Sequence, residues 1–112
     1  MFRFAPLAAL LLLAACAATH QAPPTRAEIE ARGATLAQSQ CSSCHAVGRT
    51  GDSPAPEAPP FRALSPHYRV ATLEQALKEG ISAGHPAMPT FHYTSADADA
   101  LIAYLQSIQE HP

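Results

Sequence analysis

The chain has 112 residues, no tryptophan and a formal net charge of −2, so it holds one small domain at most once a targeting segment is removed. Without residues 1–16 it loses Arg3, and six Lys and Arg then face nine Asp and Glu, a formal charge of −3. This balance excludes a nucleic-acid-binding domain, and a single lysine, Lys78, excludes a lysine ring that would steer an acidic partner.

Residues 1–16 have the layout of a secretory signal. Arg3 precedes an apolar run over residues 7–15 that leads into a cluster of small residues. The run is shorter than the ~20 apolar residues that a spanning helix needs, and Pro6 lies near its start. We therefore predict export of the domain and no retained transmembrane helix.

The sequence LAAC at residues 13–16 resembles the lipobox of bacterial lipoproteins, whose cysteine is lipidated and becomes the mature N-terminus. Acyl chains on Cys16 would hold the domain at a membrane surface, at about 0.8 kcal/mol per buried methylene. The alternative is ordinary cleavage at a small-x-small site around Cys16, which would leave this cysteine without a function. We predict a lipoprotein signal over 1–16, a flexible tether over 17–24 and a domain over 25–112, in the periplasm or on the outer cell face.

The first predicted helix begins with a capping box. Thr25 and Glu28 have the required spacing, and an apolar pattern at helical intervals follows, so the helix runs from about Arg26 toward Cys41. No segment of the chain alternates like a strand.

A proline-rich loop follows. Five prolines between residues 48 and 66 exclude a long regular element there. A domain over residues 25–112 with modest helices and such a loop buries little apolar area against its ordering entropy. Domains of this kind usually need a disulfide, a metal or a cofactor to be stable.

Two more helices are predicted. One begins at Thr72, with Gln75 as its box partner, and stops at Gly80. The last begins after a cap at Thr94 or Ser95. Its apolar stripe comprises Ala98, Leu101, Ile102, Leu105 and Ile108.

The sequence CSSCH lies at the end of the first helix. Cys41 and Cys44 are one helical turn apart and His45 follows Cys41 by four residues, so all three side chains can face one way. Two thiols and an imidazole on one edge match a flat ligand with a central metal, and C-x-x-C-H is typical of covalent haem attachment. We predict one haem c, attached through both cysteines, with its iron bound by His45.

Two other interpretations of the cysteines are weaker. A thioredoxin-like redox pair requires a βαβ pattern, which the sequence lacks. A zinc site requires two further ligands at finger or ribbon spacing, and only scattered histidines are available.

With this CSSCH motif, the chain resembles the small monohaem c-type cytochromes of class I. These are exported proteins in which haem is attached after translocation. The similarity covers about residues 26–110, in the order GATLAQSQCSSCH, APPFRAL, GHPAMPTF and LIAYLQSI. It implies an all-α cytochrome c fold of three to four short helices wrapped around one covalently attached haem, with a Pro-rich loop. It also implies that the Pro59 carbonyl, or else that of Pro60, accepts a hydrogen bond from His45.

The chain departs from this family at one position. Many relatives carry an aromatic residue four positions before the first haem cysteine, where this chain has Ala37. Tyr104 on the last helix matches the family and is expected to pack over Gly33 and Ala37, so the two helices should cross closely.

Met88 is predicted to be the sixth iron ligand. It is the only methionine left once Met1 is removed with the signal, and Pro86 and Pro89 stiffen the loop around it. The alternative is a methionine that fills a gap in the core. His85 is more readily a solvated loop side chain than a propionate partner or a replacement ligand. No role is assigned to the histidines at 67, 92 and 111.

Iron held by nitrogen on one side and sulfur on the other has no open position, and it can change charge by one electron. We predict a monomeric electron carrier, not an enzyme, that exchanges electrons with respiratory or periplasmic redox proteins. The alternatives are a haem-based gas sensor or peroxidase, if Met88 is displaced, and a haem subunit of a larger oxidoreductase.

Overall fold

The computed structural model of the chain describes residues 21–80 and 87–110. These residues contain no strand, and the predicted all-α fold is confirmed. None of the helices in these residues is long and apolar enough to cross a membrane. The elements in chain order are helix α1 (Arg26–Gln40), 3-10 turns at Phe61–Ala63 and Val70–Thr72, helix α2 (Leu73–Glu79) and helix α3 (Ser95–Ser107).

Helix α1 starts and ends where the sequence predicts. The Thr25 hydroxyl accepts a hydrogen bond from the Glu28 N–H at 3.3 Å, and the Glu28 carboxylate accepts one from the Thr25 N–H at 2.7 Å. The predicted capping box is therefore present. At the other end the Cys41 N–H still donates to the Ala37 carbonyl at 2.9 Å, so the CSSCH turn continues directly from the helix.

The predicted capping box at the start of helix α2 does not form, although Thr72 is the residue directly before the helix. Thr72 has helical backbone angles because it ends the preceding 3-10 turn, and its hydroxyl donates to the Arg69 carbonyl at 2.7 Å. It makes no capping bond, so no capping box with Gln75 forms and the helix begins at Leu73. The predicted end is confirmed: Gly80 caps the helix with a φ of 100°, a backbone conformation that favours glycine.

Helix α3 is capped by Thr94, whose hydroxyl accepts a hydrogen bond from the Asp97 N–H at 3.2 Å. All the residues of the predicted apolar stripe are buried. Ala100 lies outside that stripe and is also buried, at 1% exposure. The helix therefore buries a wider face than its sequence pattern indicates.

The additional buried face of α3 meets α1, its principal packing partner. A Cβ atom on Gly33 would lie 2.0 Å from the Ala100 carbonyl oxygen and 2.7 Å from the Tyr104 Cβ, so the two backbones meet where only glycine fits. Ala37, one turn along, is completely buried. The predicted close crossing is confirmed. Beside it, the Arg32 guanidinium binds the Asp97 carboxylate at 2.6 and 2.9 Å.

The core around these helices is not closed by the polypeptide alone. Among the described residues, no large side chain is fully buried. Leu73, Leu77 and Tyr93 pack against the core but stay only partly buried. A cavity therefore remains inside the ring of helices and loops. The core itself consists of Ala37, Val47, Phe61, Leu64, Val70, Leu101, Ile102, Leu105 and Ile108.

Gly33→Ala tests the helix crossing. Alanine stabilises a helix interior by about 0.5–1 kcal/mol relative to glycine. At position 33, however, its Cβ would overlap backbone atoms of α3, and overpacking of this kind destabilises a protein by about 1–3 kcal/mol. We expect a net loss of stability, measured as a lower midpoint of urea unfolding. Gly48→Ala is the control, because nothing lies within 4 Å of a Cβ there. An equally or more stable Gly33→Ala protein would contradict the close crossing.

Candidate functional site

The CSSCH turn brings its three chemical groups together. The backbone N–H groups of Cys44 and His45 donate to the Cys41 carbonyl at 3.2 and 2.9 Å, which wraps the chain through one further turn beyond α1. Both thiols and the imidazole line one cavity of about 660 Å³. The structure thus places the two predicted attachment sites and the predicted iron ligand on one wall.

The imidazole of His45 is held in one orientation. Its Nδ1 lies 2.8 Å from the Pro59 carbonyl oxygen. A carbonyl oxygen only accepts, so Nδ1 carries the proton and the lone pair is on Nε2, the form in which histidine binds metals. The ring also packs on Phe61, with centroids 4.8 Å apart and the planes 38° apart.

The proline-rich loop is fixed against the CSSCH turn on both sides of Pro59. The Ala55 N–H donates to the Cys44 carbonyl at 3.1 Å, and the Phe61 N–H donates to the Ala46 carbonyl at 2.9 Å. These two hydrogen bonds set the distance between the turn and the loop. They therefore hold the Pro59 carbonyl where it meets the imidazole.

Met88 lies on the same site. It is partly buried and lines both the large cavity and a second, apolar cavity of about 200 Å³. Cys41, His45 and Phe91 also line both cavities, so the two cavities adjoin at these residues. The second cavity is completed by Pro59, Phe61, Leu64, Tyr68, Leu73, Ala76, Leu77, Tyr93, Leu101 and Leu105.

Other residues from the sequence analysis lie elsewhere. Cys16, His85 and His111 lie outside the described residues. His67 and His92 are exposed and line neither of the two cavities.

Cys41 does not have the lowered pKa of a reactive redox cysteine. Cys41 and Cys44 are not joined to each other. Burial raises the pKa of the Cys41 thiol to about 11, so this thiol is protonated at neutral pH. Cysteines that act in disulfide exchange have a lowered pKa. Within residues 21–80 and 87–110, no group of three or more His, Cys, Asp or Glu side chains is placed to hold a metal ion.

Three residues of the site, Phe61, Gln40 and Tyr93, were not predicted from the sequence. Phe61 packs on the His45 ring, and its position just after Pro59 and Pro60 was the available signal. Gln40 and Tyr93 form a side-chain hydrogen bond across 53 residues of sequence. No local pattern predicts a contact between such distant residues.

The residues present fit a covalently attached haem. The cavity is lined mainly by apolar side chains, has two thiols on one wall, and is faced by a histidine whose tautomer leaves Nε2 able to bind iron. A thioether lies in the same space. The partly buried apolar side chains around it would be covered by such a group.

The comparisons with known proteins agree with this site. The family model described as cytochrome c oxidase, cbb3-type, subunit III, matches residues 28–105, which is more than half of the chain. No curated protein and no solved structure matches. The matched segment contains the CSSCH turn, the proline-rich loop and Met88. A c-type cytochrome domain implies covalently bound haem iron and electron transfer. The chain is a small c-type cytochrome and belongs to the family of cytochrome c oxidase, cbb3-type, subunit III.

Proposed function

We propose that this protein is a monomeric one-electron carrier with a single haem c. Cys41 and Cys44 would hold the haem by thioether bonds, and His45 and Met88 would bind its iron. The observation that carries the proposal is that the oriented imidazole, both thiols and the thioether line one cavity.

His45 contributes an oriented nitrogen ligand. Its Nδ1–H donates to the Pro59 carbonyl, which fixes the tautomer, makes Nε2 more basic and prevents rotation of the ring. Phe61 packs against the ring. Few atoms of the site would therefore have to move when the charge of the site changes.

Met88 contributes a soft sulfur ligand. When bound, the haem iron supplies a one-electron change between its ferrous and ferric states, and sulfur ligation favours the ferrous state. With His45 and Met88 both bound to the iron, no position would stay open for oxygen, peroxide or a substrate. This supports a carrier over a sensor or a peroxidase.

The apolar side chains that line the second cavity would also influence the reduction potential. Leu73, Leu77 and Leu101 line the second cavity, and in the haem-bound protein they would exclude water from that side of the site. Exclusion of water disfavours the more highly charged state, so the wall would raise the reduction potential further. Among the described lining residues of both cavities, Glu57 is the one charged side chain.

Met88→Ala tests the assignment of the ligand. We expect haem to stay covalently attached while the low-spin spectrum of the ferric protein changes to a high-spin or water-bound one. Leu77→Ala is the matched control, because it removes an apolar side chain from the same cavity without removing sulfur, and its spectrum should stay low-spin. An unchanged spectrum in Met88→Ala would exclude Met88 as the ligand.

We also propose that the domain is exported and anchored to the outer face of a membrane by lipidated Cys16, with residues 17–24 as a tether. The support is the signal-like segment that precedes the LAAC sequence. Anchoring would confine the carrier to the surface where membrane-bound redox partners are found.

Cys16→Ser tests the anchor. We expect the exported protein to move from the membrane fraction to the soluble exported fraction, because the acylated thiol is gone. Ala18→Ser keeps the cysteine and should stay in the membrane fraction. Equal membrane retention of Cys16→Ser and the natural protein would refute lipid anchoring through this residue.

A second candidate function is that of a fixed haem subunit in a larger oxidoreductase. The description of the matched family, a subunit of an oxidase, favours it. Stable co-purification with one partner complex, with no electron exchange in its absence, would support this function over that of a mobile carrier.

A further inference from the structure

We propose that the hydrogen bond between Tyr93 and Gln40 clamps the segment that carries Met88 against the CSSCH turn, which makes Tyr93 a positioning residue for the axial sulfur. This inference rests on the proposed function, in which Met88 binds iron. It assigns a role to two residues that would not themselves touch the metal. The segment meant here, the Met88 segment, comprises residues 87–93.

The clamp joins the two parts of the chain that would hold the iron. The Tyr93 hydroxyl donates to the Gln40 Oε1 at 2.6 Å. Gln40 is the last residue of α1 and directly precedes Cys41. Tyr93 ends the Met88 segment and directly precedes Thr94, the cap of α3. One side-chain contact therefore links the attachment turn to the end of the Met88 segment.

Contacts within the Met88 segment extend the clamp toward the iron site. The Phe91 and Tyr93 rings stack with their centroids 5.7 Å apart and their planes 30° apart. Phe91 lines both parts of the cavity together with Met88. Displacement of Tyr93 would therefore disturb Phe91, and with it the wall of which Met88 is part.

A backbone hydrogen bond also holds Tyr93 in place, so that its hydroxyl stays within reach of Gln40. The Tyr93 N–H donates to the Leu77 carbonyl at 3.1 Å, which fixes the Tyr93 backbone to the end of α2. Burial also raises the pKa of the Tyr93 hydroxyl to about 12, so it remains a donor at neutral pH. Tyr93 thus connects α2 and α1 around the Met88 segment.

The Tyr93–Gln40 hydrogen bond is proposed to lower the frequency with which Met88 leaves the iron. It is not proposed to change which residue is the ligand. An external ligand such as imidazole can bind ferric iron only while Met88 is displaced, so its rate of binding reports how often the Met88 segment opens. A typical hydrogen bond has a net effect of roughly threefold to tenfold on such an equilibrium. Loss of the clamp should raise the rate of imidazole binding by about that factor.

The test uses the ferric holoprotein and mixes it rapidly with imidazole. Tyr93→Phe and Gln40→Leu should each bind imidazole roughly threefold to tenfold faster than the natural protein while their resting spectra stay low-spin. The double variant should be no faster than the faster single variant, because both changes remove one interaction. Gln40→Glu keeps an acceptor oxygen and should stay near the natural rate.

Tyr104→Phe is the matched control. Its hydroxyl donates to the Val47 carbonyl at 2.7 Å, a bond of similar length that ties α3 to the loop after His45 and does not involve the Met88 segment. It should leave the rate of imidazole binding unchanged even if it lowers the unfolding midpoint. A merely structural role for Tyr93 would make Tyr93→Phe behave like Tyr104→Phe.

The outcomes separate this inference from the proposed function. If Met88→Ala loses the low-spin spectrum but Tyr93→Phe and Gln40→Leu bind imidazole at the natural rate, the clamp is refuted and the ligand assignment stands. If Met88→Ala keeps the spectrum, the ligand assignment fails and the clamp fails with it. The clamp is supported if both single variants bind imidazole faster than the natural protein and the double variant is no faster than the faster single variant.

Discussion

The central physical constraint on this domain is a core that its own side chains leave open. The helices α1 and α3 meet at Gly33 with almost no space between their backbones, yet Leu73 and Leu77 of α2 face a cavity and stay partly buried. A small domain has little apolar area with which to offset its ordering entropy. A large apolar group bonded into this space would cover those side chains, and covalent attachment would make it a permanent part of the core.

The same constraint explains where the site lies. The turn with Cys41, Cys44 and His45 continues from α1, and the proline-rich loop returns to it through hydrogen bonds on both sides of Pro59. Met88 and Phe91 of the Met88 segment line the same cavity, and the segment is tied to α2 and α1 through hydrogen bonds of Tyr93. Stability and function would thus share the same group, since the feature that completes the core also carries the electron.

Sequence patterns predicted the features that are local. The capping box at Thr25, the glycine end of α2 and the stripe of α3 each depend on residues within a few positions of one another, and the structure confirms them. The capping box predicted at the start of α2 does not form, because Thr72 belongs to a preceding 3-10 turn in which its hydroxyl donates to the Arg69 carbonyl. Burial of Ala100 and pairing of Tyr93 with Gln40 depend on how distant segments pack, and no periodicity within one segment encodes that.

The mass and colour of the purified exported protein test the central claim most directly. If a haem is bonded into this core, the denatured protein should be coloured, and its mass should exceed that of the Cys41→Ser/Cys44→Ser variant by one haem once the two substitutions are allowed for. That variant keeps Cys16 and whatever is attached to it, and it should be colourless. A colourless protein without the additional mass of a haem, made in cells whose haem-attachment machinery works on another c-type cytochrome, would contradict it.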